Sequence, residues 1–186
     1  MTIRALIFDF DGTIVDTETP GFLSWRATFL KHGLTLTEKQ FEGWVGTSAD
    51  MAWFNPKNVL RAHLNDEPAV QAIDEARERE DLAVIRTQPV MPGVVEYLVH
   101  GRARGLKLAV ASSSSWKWVS EHMGRVGLVD RFDLIKCGDQ VAKRKPAPDL
   151  YLAALEGMGI AAHEAVAFED STNGISAAKA AGIFTV

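Results

Sequence analysis

The chain has 186 residues, 47% hydrophobic and 24% charged, which is enough for one core domain carrying an insertion and too apolar for disorder. Its 20 Lys and Arg against 24 Asp and Glu leave a charge of −4, which gives no reason to expect nucleic acid or an anionic membrane as a partner. The single cysteine, Cys137, excludes an internal disulfide and a cysteine-cluster metal site. No apolar run approaches the roughly 18 residues of a membrane span and Ala5–Phe8 is too short for a signal-peptide core, so the cytoplasm is the expected location.

Residues 3–10 are almost continuously apolar and meet Asp11-Gly12-Thr13, the pattern of a strand buried on both faces of a parallel sheet. Residues 17–88 then carry no strand signal. Amphipathic helices are predicted there at 22–31, 38–44, 49–63 and 69–86, and the charge run of the last, with Asp74 and Arg77 three apart and Glu75 and Arg79 four apart, reads as a solvated face. Strands at 107–111, 132–137, 165–168 and 183–186 alternate with helices at 94–104, 116–126, 147–158 and 172–181, the last stopped by Gly182. Strand and helix in alternation give an α/β core of residues 1–16 and 89–186 with right-handed crossovers. The helical block 17–88 is inserted after the first strand and is expected to cap the sheet's C-terminal edge, where ligands of open α/β sheets bind.

The chemistry-bearing residues fall at the C-terminal ends of these strands. Asp9 and Asp11, two apart, are expected to point the same way, and paired carboxylates there call for a proton or a hard divalent cation such as Mg²⁺. Glu169 and Asp170, ending another strand, offer more ligands for the same ion. The competing reading is turn and helix-cap acids. Ser112, Ser113, Ser114 and Ser115 at a helix start form either an anion site or an N-cap. Lys145, fixed before Pro146, adds a cation. An acidic pair, hydroxyls, a lysine and a second acidic pair together suit phosphoryl transfer.

In that order the motifs resemble the haloacid dehalogenase superfamily: Asp9-Phe10-Asp11-Gly12-Thr13 with Asp16-Thr17-Glu18, then Val110-Ala111-Ser112, Lys145-Pro146, and Glu169-Asp170-Ser171-Thr172-Asn173-Gly174. The helical insertion is similar to that of its β-phosphoglucomutase-like branch. The resemblance implies a Rossmann-like three-layer α/β core with a parallel sheet plus an α-helical cap. It also implies a Mg²⁺-dependent phosphatase of small phosphorylated metabolites, sugar phosphates among them, acting as a monomer or weak dimer. Asp9 would be the nucleophile and Asp11 the general acid and base; Asp9, Asp11 (through its carbonyl), Glu169 and Asp170 would form the metal site. Ser112, Ser113 and Lys145 would grip the phosphate, and Thr13 would position the loop. Family members usually continue past residue 186 with a further helix, so the resemblance implies a C-terminally truncated chain or an uncovered sheet edge.

Against a mutase, Gly21 stands where the mutases carry a histidine and Ala49 where they carry a substrate-loop arginine. Dehalogenase chemistry is disfavoured by Asp11 and the second acidic pair. A phosphonate-cleaving enzyme would need a cap lysine, for which Lys31, Lys39 and Lys57 qualify by location alone. A phospho-accepting receiver domain shares the acid, hydroxyl and lysine set but lacks a long insertion after its first strand. Trp25, Trp44, Trp53 and Trp118 read as core filling, Trp116 as a candidate leaving-group contact, and His32, His63, His100, His122 and His163 as surface or helix-end residues.

Overall fold

The computed structural model describes residues 2–44 and 54–186. The chain forms two compact units, Met1–Asp16 with Pro89–Val186, and Thr17–Gln88. The first opens with strand β1 (Ala5–Phe8). Helices α1 (Glu18–Lys31), α2 (Glu38–Glu42), α3 (Pro56–Leu64) and α4 (Glu67–Ile85) make the second unit. The chain then returns to the first through α5 (Val94–Ala103), β2 (Lys107–Ser112), α6 (Trp116–Arg125), β3 (Leu134–Cys137), α7 (Asp149–Met158), β4 (Ala165–Phe168), α8 (Thr172–Ala180) and β5 (Phe184–Thr185).

The sheet is parallel throughout, in the order β3-β2-β1-β4-β5. Side-chain alternation divides it into two faces. Ala5 and Ile7 of β1, Ala109 and Ala111 of β2 and Ala165 and Ala167 of β4 join Leu150, Ala154, Leu155 and Met158 of α7 and Ala177 and Ala178 of α8. Leu6, Phe8, Leu108 and Val110 join Val94 and Leu98 of α5 and Val119 and Met123 of α6. The alanine-rich face lets its helices approach closely, while the other face is filled by larger side chains, including Phe8 stacked on Phe168 at 4.7 Å. Each fully buried Leu, Ile or Phe contributes on the order of 1.5–3 kcal/mol, so this α/β sandwich has ample driving force.

Several elements differ from expectation at their ends. The first strand stops at Phe8 rather than residue 10, because Gly12 takes φ 78° and its N–H donates to the Val15 carbonyl at 2.8 Å, turning the chain out of the sheet. Helix α7 begins at Asp149 rather than 147, because Pro148 disfavours a helical residue before it. Helix α4 begins at Glu67, two residues early, since the Asp66 carboxylate accepts from the Ala69 N–H at 3.1 Å and caps it. Of the predicted helix 49–63 the described part is α3, capped by Asn55; Ala49 and Trp53 lie outside the described residues.

The helical unit closes on Trp25, Phe29, Leu36, Phe41, Leu60 and Val70, with Trp44 packed at 5.4 Å from Phe41. Here the reading of the charge run on α4 is corrected in part: Asp74, Arg77 and Asp81 are buried. They follow Val70 and precede Ile85 on the inner stripe of α4, so they turn toward α1, where the Arg77 guanidinium sits 4.2 Å over the Trp25 ring. Arg77 bonds Asp74 at 2.9 Å and also Asp81, and Lys57 reaches Asp74 at 2.7 Å. Desolvation raises the Asp74 carboxyl, but Lys57 and Arg77 outweigh it and bring it below its ordinary value; at Asp81 desolvation prevails over the Ser24 hydrogen bond and Arg77, and the pKa is raised. His122 is also corrected: it is fully buried on the inner stripe of α6, not at the surface. Among the described residues no helix is long and apolar enough to cross a membrane.

Candidate active site

The C-terminal edge of β1, β2 and β4 gathers most of the predicted residues. Asp9 follows β1 directly and its N–H donates to the Phe168 carbonyl at 3.0 Å, so the backbone is still tied to the sheet where the carboxylate emerges. Glu169 and Asp170 follow β4. Oxygens of Asp9, Glu169 and Asp170 all lie within 4.8 Å of one another, with Asp9 and Glu169 buried and Asp170 at the exposed end. Lys145 enters from the loop after β3. Its ammonium donates to Asp9 Oδ1 at 2.6 Å and to Glu169 Oε1.

The electrostatics follow from this crowding. Burial pushes Asp9 well above the usual carboxylate range; Lys145 pulls it down, while Glu169 and Asp11 push it further up. Desolvation, with the charge of Glu169, raises Asp170 against the hydrogen bond it accepts from Thr13. Burial works against the Lys145 ammonium, but the carboxylates of Asp9 and Glu169 outweigh it and hold it charged. Three carboxylates share one ammonium here, and the donors are all hard oxygens with no imidazole or thiolate among them. Cys137, whose thiol burial pushes up to about 12, is no ligand. Such a donor set fits Mg²⁺.

Two glycines make the cluster possible. A Cβ on Gly12 would stand 1.9 Å from Asp170 Oδ2, and one on Gly174, in the first turn of α8, 1.8 Å from Glu169 Oε2. Thr13 Oγ1 donates to Asp170 Oδ1 at 3.1 Å, which locks the Gly12 turn to the end of β4.

Asp11 stands differently from the expected pair. Because β1 ends at Phe8, strand alternation no longer applies at Asp11, and its carboxylate is outside the three-carboxylate cluster. It is held instead by the loop after β2 and by α6. Ser114 Oγ donates to Asp11 Oδ2 at 2.6 Å, Ser112 Oγ lies 3.4 Å from the same oxygen, and the Trp118 indole N–H donates to Oδ1 at 2.8 Å. Ser112 is fully buried at the end of β2 and accepts from the Ser114 N–H; Ser115 is the N-cap of α6, accepting from the Trp118 N–H at 3.4 Å. Ser113 has its hydroxyl buried without a hydrogen-bond partner among the described residues, a state that costs on the order of 1–3 kcal/mol unless a ligand supplies one.

Three residues were missed by sequence reasoning. Ser114 was read only as part of the serine run, and Trp118 as core filling, although it lies one helical turn after Ser115. The Tyr151 hydroxyl donates to Glu169 Oε1, and burial beside that carboxylate raises its pKa and keeps it a donor. Its place on the inner stripe of α7, with Leu150, Ala154 and Leu155, was the available signal. Trp116 is exposed and its backbone N–H is held by Asp139 at 3.0 Å.

Residues 6–186 match the haloacid dehalogenase-like hydrolase family. The Bacillus subtilis protein YhcW, provisionally a phosphatase by name, is 39% identical over 181 residues, covering 97% of this chain and 81% of its own. A phosphorylated carbohydrates phosphatase of Thermotoga maritima is 32% identical over 181 residues, covering 97% of this chain and 82% of its own. A crystal structure from Thermotoga maritima, assigned provisionally as a β-phosphoglucomutase, superposes with a TM-score of 0.76 at 31% identity over 97% of this chain and 82% of its own. With its motifs in family order, its parallel sheet in matching form and nearly its whole length covered, the chain belongs to the haloacid dehalogenase-like hydrolase family.

Proposed function

We propose that this protein is a Mg²⁺-dependent phosphatase of small phosphorylated metabolites, with sugar phosphates as the class, working through an aspartyl-phosphate on Asp9. The observation that carries the reading is the buried, charge-deficient cluster: Asp9, Glu169 and Asp170 within 4.8 Å of one another, with Lys145 bonded to the first two. The phosphatase relatives support the substrate class.

On this reading Asp9 attacks phosphorus and the bond to the leaving oxygen breaks. Asp11 gives that oxygen its proton, then takes one from the water that attacks the phosphoryl group and frees Asp9. Lys145 fixes Asp9 and offsets charge on the phosphate, while Ser112 and the unpartnered Ser113 hydroxyl receive phosphate oxygens. Mg²⁺ held by Asp9, Glu169 and Asp170, with Asp11 contributing its main-chain carbonyl, supplies the positive charge that lets a carboxylate meet a phosphate dianion. Thr13 keeps Asp170 and the Gly12 turn together.

The test is a screen of phosphorylated sugars and other metabolites with Mg²⁺, with and without EDTA, read both as phosphate release and by ³¹P NMR. Metal-dependent phosphate release is the expected result. Interconversion of sugar phosphates without release would instead establish a mutase, and stoichiometric labelling without turnover a phospho-accepting switch.

A further inference from the structure

We infer that Tyr151 is a positioning residue: its hydroxyl fixes the Glu169 carboxylate before the ion arrives and thereby sets the affinity of the cluster for Mg²⁺. The inference rests on the phosphatase reading above and deepens it. The Glu169 side chain has no exposed surface, so its orientation is set from within the protein. Oε1 accepts from the Tyr151 hydroxyl and from the Lys145 ammonium, and Ser171 Oγ lies 3.3 Å from Oε2. The Oε2 side is closed by backbone as well, since a Cβ on Gly174 would stand 1.8 Å from that oxygen.

Of these donors Tyr151 is the one anchored in the core. It is fully buried on the inner stripe of α7, in one cluster with Leu150, Ala154, Leu155 and Met158. The Lys145 ammonium, by contrast, is shared with Asp9 Oδ1 at 2.6 Å, and it stands 5.2 Å over the Tyr151 ring. Tyr151 thus touches both partners of the Lys145–Glu169 ion pair, the carboxylate with its hydroxyl and the ammonium with its ring face. Two effects follow from the hydroxyl. A carboxylate already held loses little freedom when it takes up a cation, so holding it favours binding. The hydroxyl also occupies part of Oε1 and keeps Glu169 from closing wholly on Lys145, the resident cation that competes with Mg²⁺ for its charge. Tyr151→Phe keeps the ring, its packing and its place beside the ammonium, and removes only the donor. The variant should therefore bind Mg²⁺ about tenfold more weakly than wild type.

The experiment titrates substrate-free protein with Mg²⁺ by isothermal titration calorimetry in wild type, Y151F, L155A and D170N, each first shown to be folded by circular dichroism. Leu155 lies on the same helix and in the same core cluster as Tyr151 but carries no polar side-chain atom, so L155A reports packing alone. A weaker site in Y151F, with L155A binding as wild type does, supports the inference. An affinity in Y151F equal to that of wild type, or tighter, overturns it while leaving the metal site intact, and so does an equal loss in Y151F and L155A. No binding in wild type, or binding that D170N leaves unchanged, overturns the metal assignment and the inference with it. Should Y151F not fold, Tyr151→Met also removes the donor and is judged against L155A in the same way.

Discussion

Each of the two units buries a cluster of charged side chains, and the two clusters come to opposite balances. In the helical unit the two buried carboxylates Asp74 and Asp81 meet the Arg77 guanidinium, which also nears the exposed Glu78, Lys57 reaches Asp74, and Trp25 covers the guanidinium. In the α/β unit Asp9, Glu169 and Asp170 cluster with one cation among the described residues, Lys145, which bonds the first two. The first cluster is electrically closed and forms inside one helix and its neighbours, so its role ends with packing α4 against α1 and α3. The second is short of positive charge, assembled from two strand ends and a loop, and is relieved by a proton or a cation. Burial of charge is thus no mark of function by itself; an unmet balance at a sheet's C-terminal edge is.

The contrast can be broken most severely at the open cluster. Asp9→Asn should reduce phosphate release to background while the thermal transition stays or rises, because the change removes a buried carboxyl whose charged form is disfavoured by burial and by Glu169 and Asp11; retained turnover would show another nucleophile. Metal should act next. Saturating Mg²⁺ at about a hundred times its Kd stabilises by about 2.7 kcal/mol, or roughly 5–10 °C in Tm for a chain of this size, and EDTA should reverse it. The sign of the pH dependence follows from Asp9. Its folded pKa is raised, so the native state binds more protons than the unfolded chain, and the contribution present below the unfolded value is lost as pH rises through the folded one. Without Mg²⁺ the Tm should fall over that range, and with Mg²⁺ the decline should flatten.

At the closed cluster the effect should be on stability. Arg77→Met leaves buried Asp81 without its guanidinium partner and buried Asp74 with Lys57, and should cost about 3–5 kcal/mol, read by thermal or urea unfolding, with no dependence on Mg²⁺. A Mg²⁺-dependent loss there would erase the distinction between the clusters. A smaller effect is expected from Gly12→Ala: the left-handed φ of 78° costs roughly 1–2 kcal/mol, and the added Cβ displaces Asp170, so Mg²⁺ affinity should weaken along with Tm. The smallest belongs to Ser113→Ala, which removes an unpartnered buried hydroxyl. In ligand-free protein it should be neutral or stabilising by about 1 kcal/mol, while KM for a phosphate ester rises.

Much of this organisation was legible in the sequence. Apolar runs of four to six residues, each closed by a polar pair or serines, mark parallel strands, and the reactive residues could be placed at their ends because strands stop where burial stops. What could not be read was direction. Asp9 and Asp11 look equivalent at a spacing of two, but the Gly12 turn hands Asp11 to Ser114 and Trp118 rather than to the carboxylates. Asp74, Arg77 and Asp81 look solvated because they are charged, yet their spacing matches the buried stripe from Val70 to Ile85, and only the partners on α1 and α3 reveal that they turn inward. His122 and Tyr151 likewise carry polar atoms on positions whose helical spacing is that of the core.

The central claim, that the open cluster exists to make Asp9 a nucleophile, is tested most directly by trapping. The Mg²⁺-loaded protein is mixed with a turned-over phosphate ester, quenched within the first turnovers, reduced with borohydride and mapped by peptide mass spectrometry. Reductive modification at Asp9, absent from D9N and from EDTA-treated protein, is the predicted result. Full turnover with no covalent species on Asp9, or one on a different residue, would contradict it.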